Sequence, residues 1–234
     1  MLVTNRVNYI LNTINRIGKV SVINLSKELN VSLETIRRDL KQLDEQGELI
    51  RIHGGAKNKK YKDEGTSFNN RAHLNINDKQ TLVNQVIENI YEGCVIGLDA
   101  SSSSWLVAQA MPDFRCTVVT NSLNNINVLS EKRNITTIAL GGYFSEKYKA
   151  FYGLITRNNL IEMTLDLCVI SCVGFDKESG VWDSNEYNLD VKRTLIKVSN
   201  KSILIADKSK HRKKSLLKIC NIDEIDILIS NAEI

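Results

Sequence analysis

The stretch VSLETIRRDLKQLDEQGELIRIHGGA, residues 31–56, determines the fold of the first part of this 234-residue chain. Near its start, Ser32 offers a hydroxyl that can accept hydrogen bonds from the free N–H groups of a helix N-terminus. Ile36, Leu40 and Leu43 follow at the spacing i, i+4, i+7, which is typical of the buried face of an amphipathic helix. The pattern predicts a helix that packs on a small core.

The other face of this predicted helix is basic. At 100° per residue, Glu34, Arg38 and Lys41 lie opposite the apolar stripe, and Arg37 and Thr35 flank them. A cationic ridge of this kind fits the major groove of DNA. The alternative is an ordinary solvated face, because Glu34 and Arg38 at i, i+4 form a common surface ion pair. The helix alone leaves both interpretations open.

The surrounding sequence favours DNA binding. Apolar residues recur at steps of three and four from Val7 to Ile17 and again from Val22 to Leu29, which predicts two earlier helices, with Gly18 as the C-cap of the first. A short helix, a tight turn and a longer helix make a helix-turn-helix. The β-rich ELIRIHGGA, residues 48–56, then predicts a hairpin, or wing.

Within the wing we expect Arg51 and His53 to lie near DNA phosphates, and Gly54 and Gly55 to let the backbone approach closely. Residues 1–57 are therefore predicted to bind duplex DNA. The candidate contact residues are Ser32, Glu34, Thr35, Arg37, Arg38, Lys41, Arg51, His53, Gly54 and Gly55.

The charge distribution agrees with this prediction. Residues 1–60 contain 11 Lys and Arg against 6 Asp and Glu, whereas the remainder contains 20 against 21. The excess positive charge of the chain therefore lies in its first quarter, as expected of a nucleic-acid-binding unit joined to a neutral one.

The opening stretch resembles the head of the DeoR family of bacterial transcription regulators. The family signature is V-S-x-x-T-I-R-R-D-L followed by G-x-x-x-R-x-H-G-G-A, and this chain matches it over about 26 residues. The resemblance implies an α+β winged helix-turn-helix domain followed by a sugar-phosphate-sensing domain. It also implies regulation of an operon for sugar catabolism.

The rest of the chain has a different pattern. Residues 58–75 are polar, charged and without apolar periodicity, which predicts a linker. Residues 76–234 alternate amphipathic helices with nearly continuous apolar strands such as CVIGL, CTVVT and SILIAD. This alternation predicts an α/β domain with a mostly parallel sheet that is covered on both faces. Ligands of such sheets bind at the carboxyl ends of the strands.

Polar loops follow these strands, which predicts a ligand site at their ends. Ser101, Ser102 and Ser103 stand where a helix starts, so their hydroxyls and N–H groups can bind an anion, and Lys208 can add a positive charge. The alternative for the serines is a turn that caps its own helix. Several polar loops at one edge favour a phosphate-bearing ligand.

The DeoR resemblance extends to this second domain. Family members carry D-x-G-S-T, T-N-S, G-G and D-x-S-K where this chain has DASSS, TNS, GG and DKSK. The implied fold is similar to that of sugar-phosphate isomerases, and the implied effector is a phosphorylated sugar. The candidate effector-binding residues are Asp99, Ser101, Ser102, Ser103, Asn121, Ser122, Gly141, Gly142, Asp176, Asp183, Asn185, Lys192 and Lys208.

Two departures from the family pattern suggest a particular sugar. Ala100 and Ser101 replace the usual Gly-Ser step, and Asn188 stands where many members have glutamate, before the helix that bears Lys192. These departures predict a pocket tuned to a different sugar from that of many members. The effector that the resemblance implies is a deoxysugar phosphate such as L-fuculose-1-phosphate, with Trp182 or Trp105 as an apolar wall for its methyl group.

An enzyme is the main alternative class. Asp99 and Lys208 are residue types that can move protons, as in ribose-5-phosphate isomerase and glucosamine-6-phosphate deaminase. Against this, His211 is the only histidine near the polar loops that follow the strands in the sequence. A DNA-binding domain also has little use for catalytic turnover. A structural or protein-interaction module would explain neither the basic first quarter of the chain nor the polar loops at the strand ends. We predict no catalytic residue, no cofactor and no metal site.

Three further expectations complete the sequence-based description. Five cysteines without a C-x-x-C pair predict reduced, buried thiols. No apolar run approaches the roughly 18 residues of a membrane span, and the first residues do not resemble a signal peptide, so we expect a cytoplasmic protein. Winged-helix regulators usually pair to read two half-sites, which predicts a homo-oligomer, either a dimer or a tetramer.

Overall fold

The computed structural model describes residues 3–17, 19–52, 54–58 and 65–233. The chain divides into two compact units, Met1–Asp63 and Glu64–Ile234. Within the described ranges, no helix has the length and apolar character needed to span a membrane. Gly18, the expected C-cap of the first helix, and His53, an expected wing contact, lie outside the described residues.

The first unit is a winged helix-turn-helix domain, as predicted. Its elements are α1 (Val3–Ile17), β1 (Lys19–Ser21), α2 (Val22–Leu29), α3 (Leu33–Glu45), β2 (Leu49–Ile52) and β3 (Gly55–Asn58). The strands form one antiparallel sheet in the order β1-β3-β2, and β2 with β3 makes the wing.

Local sequence explains the tight turn between α2 and α3. Asn30 caps α2 with φ = +49°, a left-handed conformation that asparagine adopts more easily than most residues. Ser32 caps α3, since its hydroxyl accepts a hydrogen bond from the Thr35 N–H at 3.1 Å. Ile36 and Leu40 are buried, as their spacing predicts, so the basic residues of α3 remain on the outside.

The segment expected to be a linker, residues 58–75, contains a helix of the second unit, α4 (Phe68–His73). Phe68 is buried, its N–H donates to the Lys147 carbonyl at 2.9 Å, and its ring lies edge-on to Trp105 at 5.8 Å. The expectation is corrected for this reason: a six-residue helix is too short to show apolar periodicity, and its anchor is a single aromatic ring.

The second unit has an α/β architecture with a parallel sheet, as predicted. Its remaining helices are α5 (Ile76–Ile87), α6 (Ser102–Ala110), α7 (Leu123–Leu129), α8 (Leu154–Ile161) and α9 (Glu186–Val198). The strands of the main sheet are β4 (Val95–Leu98), β5 (Cys116–Thr120), β6 (Ile135–Ala139), β9 (Leu167–Ile170), β12 (Ser202–Ile205) and β14 (Ile227–Ile229). These six strands are parallel, in the order β14-β12-β9-β4-β5-β6.

Two smaller antiparallel sheets were not predicted from the sequence. Strands β7 (Tyr143–Ser145) and β8 (Ala150–Tyr152) form a hairpin. The other sheet has the order β10-β11-β13 and is made of β10 (Gly174–Asp176), β11 (Gly180–Asp183) and β13 (Leu217–Cys220). Most of these strands are only three or four residues long, so alternation along the sequence is too brief to identify them.

Apolar side chains cover the main sheet on both faces. One core joins α5 and α6 to residues such as Ile96 and Leu98, and the other joins α8 and α9 to residues such as Cys168 and Ile170. At Gly97, an added Cβ would lie 2.6 Å from the Leu195 side chain of α9, so glycine allows close helix packing there. This layering leaves the carboxyl ends of the strands as the place where polar residues gather.

Candidate functional site

In the first unit, the exposed face of α3 carries the predicted basic ridge. Glu34, Arg37, Arg38 and Lys41 are all exposed. Glu34 pairs with Arg37 at 3.4 Å and not with Arg38, the partner considered from the sequence, while Lys41 pairs with Glu45 at 3.8 Å. Such exposed pairs contribute little stability. Arg38 makes no ion pair with another described residue and is available to a ligand.

Asp39 lies on the opposite side of α3 and is buried. It accepts two hydrogen bonds from Arg6, one from Nε at 2.5 Å and one from a terminal nitrogen at 3.0 Å. The hydrogen bond that Arg6 donates to Asp39, together with the charge of that carboxylate, raises the pKa of Arg6 despite burial. Arg6 belongs to α1, so the ion pair fixes α3 against α1.

The predicted DNA-contact residues of the wing differ in exposure and in what they contact. Arg51 is exposed, and its backbone N–H donates to the Asp44 carboxylate at 3.1 Å. Gly54 is exposed with φ = +75°, a conformation that favours glycine. Gly55 is buried, and an added Cβ would lie 2.0 Å from the Val20 carbonyl oxygen. Gly55 therefore permits the contact of β3 with β1, which corrects the expectation that it faces DNA.

In the second unit, polar residues follow four adjacent strands. Asp99 follows β4, Asn121 follows β5, Ser171 follows β9, and Asp207 lies just beyond β12. All four are almost completely buried. Since neighbouring parallel strands end at one edge, their side chains form a single polar cluster.

Asp99 is the centre of this cluster. Its carboxylate accepts hydrogen bonds from the Ser101 N–H at 3.1 Å, the Ser104 hydroxyl at 2.5 Å and the Ser171 N–H at 3.1 Å. Burial acts to raise the pKa of Asp99, but the charge of Lys192 at 3.5 Å and these hydrogen bonds hold that pKa below its usual value. Asp99 is thus an ionised residue whose oxygens bind the protein itself.

Lys192 connects Asp99 to Asp183. The ammonium contacts both carboxylates and is itself buried. Burial acts to lower the pKa of Lys192, but the charges of Asp183 and Asp99 raise it above the ordinary lysine value. Both predicted residues, Lys192 and Asp183, therefore belong to the cluster as a charged pair.

The three predicted serines have three different environments. Ser101 caps α6 by accepting a hydrogen bond from the Ser104 N–H at 3.0 Å, which matches the self-capping alternative. Ser102 accepts a hydrogen bond from Lys79 Nζ at 3.0 Å. Ser103 has a buried hydroxyl with no hydrogen-bond partner among the described residues. Of the three hydroxyls, Ser101 is used as a helix cap, Ser102 is bonded to Lys79, and Ser103 has no partner in the described chain.

Lys79 is a site residue that the sequence analysis missed. Its ammonium donates to the Arg71 carbonyl at 2.7 Å and to Ser102, and the side chain is buried. Burial, followed by the charge of Lys210, lowers the pKa of Lys79 to about 8. A signal existed in the sequence, because Lys79 occupies the apolar stripe of α5 three and four residues before Leu82 and Val83.

Arg71 was also missed, because it lies in the expected linker. Its guanidinium donates to the Ala100 carbonyl at 3.4 Å and lies 5.8 Å from the ring centroid of Phe68 and 5.6 Å from that of Tyr148. Its Nε is buried without a hydrogen-bond partner among the described residues. The aromatic rings hold this cation next to the loop that follows β4.

The structure places Lys210, and not Lys208, at the cluster. Lys210 Nζ donates to the Ser171 hydroxyl at 2.8 Å and lies 3.9 Å from Asp207. The side chain of Lys208 is 63% exposed and lies 3.7 Å from Asp78. The expectation for Lys208 is corrected because a single 3₁₀ turn, Lys208–Lys210, directs the two lysines to different places.

The residues after β5 and β6 form another side of the cluster. The Asn121 amide donates to the Phe151 carbonyl at 2.9 Å, and its buried carbonyl oxygen has no partner in the described part of the chain. Ser122 caps α7. Gly141 is exposed, and its carbonyl accepts from the Thr156 hydroxyl at 2.6 Å. An added Cβ at Gly142 would lie 2.2 Å from the same hydroxyl oxygen, so Gly142 has a packing role.

Asn185 lies near the cluster, whereas Asp176 belongs to a turn. Asn185 is buried, caps α9 and follows Asp183 closely in the chain. Asp176 accepts N–H groups from Glu178 at 2.9 Å and Ser179 at 3.1 Å, and these hydrogen bonds lower its pKa. Asp176 therefore stabilises the turn between β10 and β11, which corrects its assignment as an effector ligand.

Neither tryptophan forms the expected apolar wall. Trp105 packs into the core beside Phe68, and the Trp182 indole N–H donates to the Ser179 hydroxyl at 3.3 Å. Tyr152 is an aromatic residue that adjoins the acidic side of the cluster. Its hydroxyl donates to the Asn188 side chain at 2.6 Å, and Asn188 in turn lies 3.4 Å from Asp183.

The cluster carries more positive than negative groups. Its basic members are Arg71, Lys79, Lys192 and Lys210, and its acidic members are Asp99, Asp183 and Asp207. Several hydrogen-bonding atoms of the cluster are buried without a hydrogen-bond partner in the described chain, among them the Ser103 hydroxyl, the Asn121 carbonyl oxygen, Arg71 Nε and Asp207 Oδ2. Such a cluster suits a hydroxylated anion. The described residues contain no group of metal-ligating side chains.

Comparisons with known proteins agree with this division of the chain. The DeoR-like helix-turn-helix domain matches residues 6–61, and the DeoR C terminal sensor domain matches residues 74–232. The L-fucose operon activator of Haemophilus influenzae is 44% identical over 222 residues, which cover 95% of this chain and 89% of that protein. The L-fucose operon activator of Escherichia coli is 37% identical over 209 residues, or 88% of this chain and 86% of that protein.

Ribose 5-phosphate isomerase A from Methanocaldococcus jannaschii, a solved structure, covers 58% of this chain and 55% of its own, with 13% identity and a TM-score of 0.44. The two family matches together span almost the whole sequence, and the two relatives compared over most of their length are operon activators. The chain belongs to the DeoR family of transcriptional regulators.

Proposed function

We propose that the second unit binds a phosphorylated sugar and that this binding controls how the first unit occupies operator DNA. The observation that carries the proposal is the meeting of four basic side chains with three carboxylates at the carboxyl ends of the parallel strands. Lys79 and Lys192 are buried and Arg71 and Lys210 are partly buried, so an anion of the right shape would relieve an unfavourable arrangement of positive charge.

The phosphate is best accommodated at the start of α6. Ser102 and Ser103 offer hydroxyls there, Lys79 already donates to Ser102, and Lys210 brings a second ammonium by way of Ser171. The free N–H groups of a helix N-terminus also favour negative charge. A phosphate dianion would therefore meet two cations and several donors.

The sugar hydroxyls have separate partners. The Asn121 carbonyl oxygen is buried without a partner in the described chain, so it can accept a hydrogen bond from a hydroxyl. Asp183 and Asn185, near the start of α9, offer further oxygens and an amide. Asp99 is fully occupied by the protein, so its role is to position Lys192 and the loop after β4.

The sugar itself is proposed to be a deoxysugar phosphate such as L-fuculose-1-phosphate, and the target an L-fucose operon. Support comes from the relatives in Haemophilus influenzae and Escherichia coli, which are L-fucose operon activators. We further propose that the chain acts in the cytoplasm as a dimer or tetramer. Two copies would present two α3 helices to the half-sites of an operator.

Calorimetry with the full chain tests the effector assignment. We expect L-fuculose-1-phosphate to bind and free L-fuculose not to bind, because the cluster is built for an anion. Lys210→Ala should weaken binding at least tenfold, whereas Lys208→Ala, a matched removal of an exposed lysine two residues away, should leave it unchanged. Equal weakening by both variants, or tighter binding of the free sugar, would contradict the proposal.

A further inference from the structure

Leu33 is an exposed apolar residue beside the basic ridge of the first unit. It is the first residue of α3, and 41% of it is exposed. The hydrophobic core of this unit includes Ile36 and Leu40 from the same helix, and even the partly buried Val31, but not Leu33. The leucine therefore lies outside this core and leaves hydrocarbon exposed to water.

The position of Leu33 relates it to the basic ridge. Its neighbours in sequence are the cap residue Ser32 and the exposed Glu34. Arg37, four residues later, lies on the same side of the helix as Leu33. In helix-turn-helix proteins, the N-terminal residues of the second helix of the motif reach the base edges in the major groove. Leu33 thus stands where a side chain would meet a base.

We propose that Leu33 reads the C5-methyl group of a thymine in each operator half-site. The major-groove edge of thymine is the one that presents a methyl group, and apolar side chains contact it. A leucine cannot donate or accept hydrogen bonds, so it selects this methyl group against the polar edges of the other bases. The proposal rests on DNA binding by α3 and adds the chemistry of one recognised base.

Deoxyuridine provides a direct test, because it differs from thymidine only by this methyl group. Duplexes that bind the full-length chain are first selected from a randomised pool. Each thymine of a selected site is then replaced in turn by deoxyuridine, and binding is measured by fluorescence anisotropy. For the unaltered chain we expect one position per half-site at which the replacement weakens binding about three- to fivefold, the value of one buried methyl group.

The same measurement on Leu33→Ala identifies the residue responsible. Alanine favours helix formation, so α3 should remain folded. We expect this variant to bind the thymine and deoxyuridine duplexes equally, at the level that the unaltered chain shows for deoxyuridine. Ile23→Ala is the matched control, since Ile23 on α2 is 58% exposed and apolar, and it should keep the methyl dependence.

Three outcomes would overturn the proposal. In the first, Leu33→Ala still loses affinity when thymine is replaced by deoxyuridine. In the second, no such replacement in the selected site weakens binding by the unaltered chain. If the unaltered chain selects no duplex, DNA binding by α3 fails as well. The first two results leave operator binding intact, so failure of the thymine contact is distinguishable from failure of the proposed function.

Discussion

The ammonium of Lys79 lies 3.0 Å from the hydroxyl oxygen of Ser102. Helix α5 is therefore tied to the first turn of α6 by a buried cation, and no carboxylate in the described chain forms an ion pair with it. The protonation state of Lys79 should therefore depend both on pH and on whether an anion is bound.

The first prediction concerns the pH dependence of effector binding. A phosphate dianion requires protonated Lys79, and the pKa of Lys79 in the free protein is about 8. Below pH 8 the lysine is already charged, so affinity should be nearly constant between pH 7 and 8. Above pH 8, each further increase of one in pH should weaken effector binding by up to tenfold. This decrease should end where the pH reaches the raised pKa that Lys79 has in the complex. Calorimetry from pH 7 to pH 10 measures this.

Lys79→Arg is the control for that prediction, because arginine stays charged throughout this range. If the variant binds the effector, its affinity should not fall between pH 8 and 10. A flat profile for the unaltered chain up to pH 10 would contradict the role given to Lys79.

The second prediction concerns stability without effector. The folded-state pKa of Lys79 lies below that of an unfolded lysine, so between about pH 8 and 10.5 the unfolded chain binds more protons. The penalty of burying this charge is fully present below pH 8 and fades as the pH rises to 10.5. Lys79→Met should therefore stabilise the second unit at pH 7 by on the order of 1 kcal/mol, with a smaller gain at pH 10. Chemical denaturation at both pH values measures the difference.

The third prediction concerns the ion pair of Arg6 and Asp39. Asp39→Asn leaves the Arg6 guanidinium buried without its carboxylate, so the first unit should lose about 3 kcal/mol of stability. The double variant Arg6→Met/Asp39→Leu should recover most of this loss. Thermal melting of the full chain reports stability, and operator preference should not change, because neither side chain is exposed. Altered preference with an unaltered melting temperature would contradict this role.

The fourth prediction concerns Arg38, which makes no ion pair with a described residue. Arg38→Ala should weaken operator binding by on the order of 1 to 3 kcal/mol and relax specificity at one base pair, as expected for a bidentate contact to guanine. Arg37→Ala should cost less, because Arg37 already pairs with Glu34. Anisotropy titrations at several salt concentrations separate base contacts from phosphate contacts.

The matched control is Arg133→Ala, which removes an exposed arginine of the second unit. It should leave both affinity and salt dependence unchanged. If Arg38→Ala lowers affinity equally for all sequences and reduces the salt slope by about one, Arg38 contacts phosphate only.

Much of the fold could be predicted because burial repeats along the chain. The stripe of Ile36, Leu40 and Leu43 identified α3, and uninterrupted apolar runs identified the strands of the parallel sheet. The short hairpin of Tyr143–Ser145 and Ala150–Tyr152 could not be identified in this way, because its strands are held by pairing with each other and not by a repeated pattern.

The site was predictable only in its acidic and serine-rich part. Asp99, Asp183 and Lys192 were found because motifs mark the strand ends, whereas Arg71 was hidden in a polar segment. The choice between Lys208 and Lys210 depends on a single 3₁₀ turn, and sequence spacing does not specify its direction. Lys79 was visible as a charge on an apolar stripe, which is a signal for a buried functional lysine.

The order of strands in the main sheet has a genetic consequence. Asp99, Ser171 and Asp207 come from neighbouring strands that are far apart in the chain, so a ribosome must synthesise most of the protein before the cluster can assemble. The first unit has its own core and is synthesised earliest. A nonsense mutation after the end of the first unit and before β12 would therefore produce a fragment that retains α3 and the wing but lacks the complete cluster. Under the proposed function, such a fragment would compete with the intact protein for the operator and so act as a dominant allele.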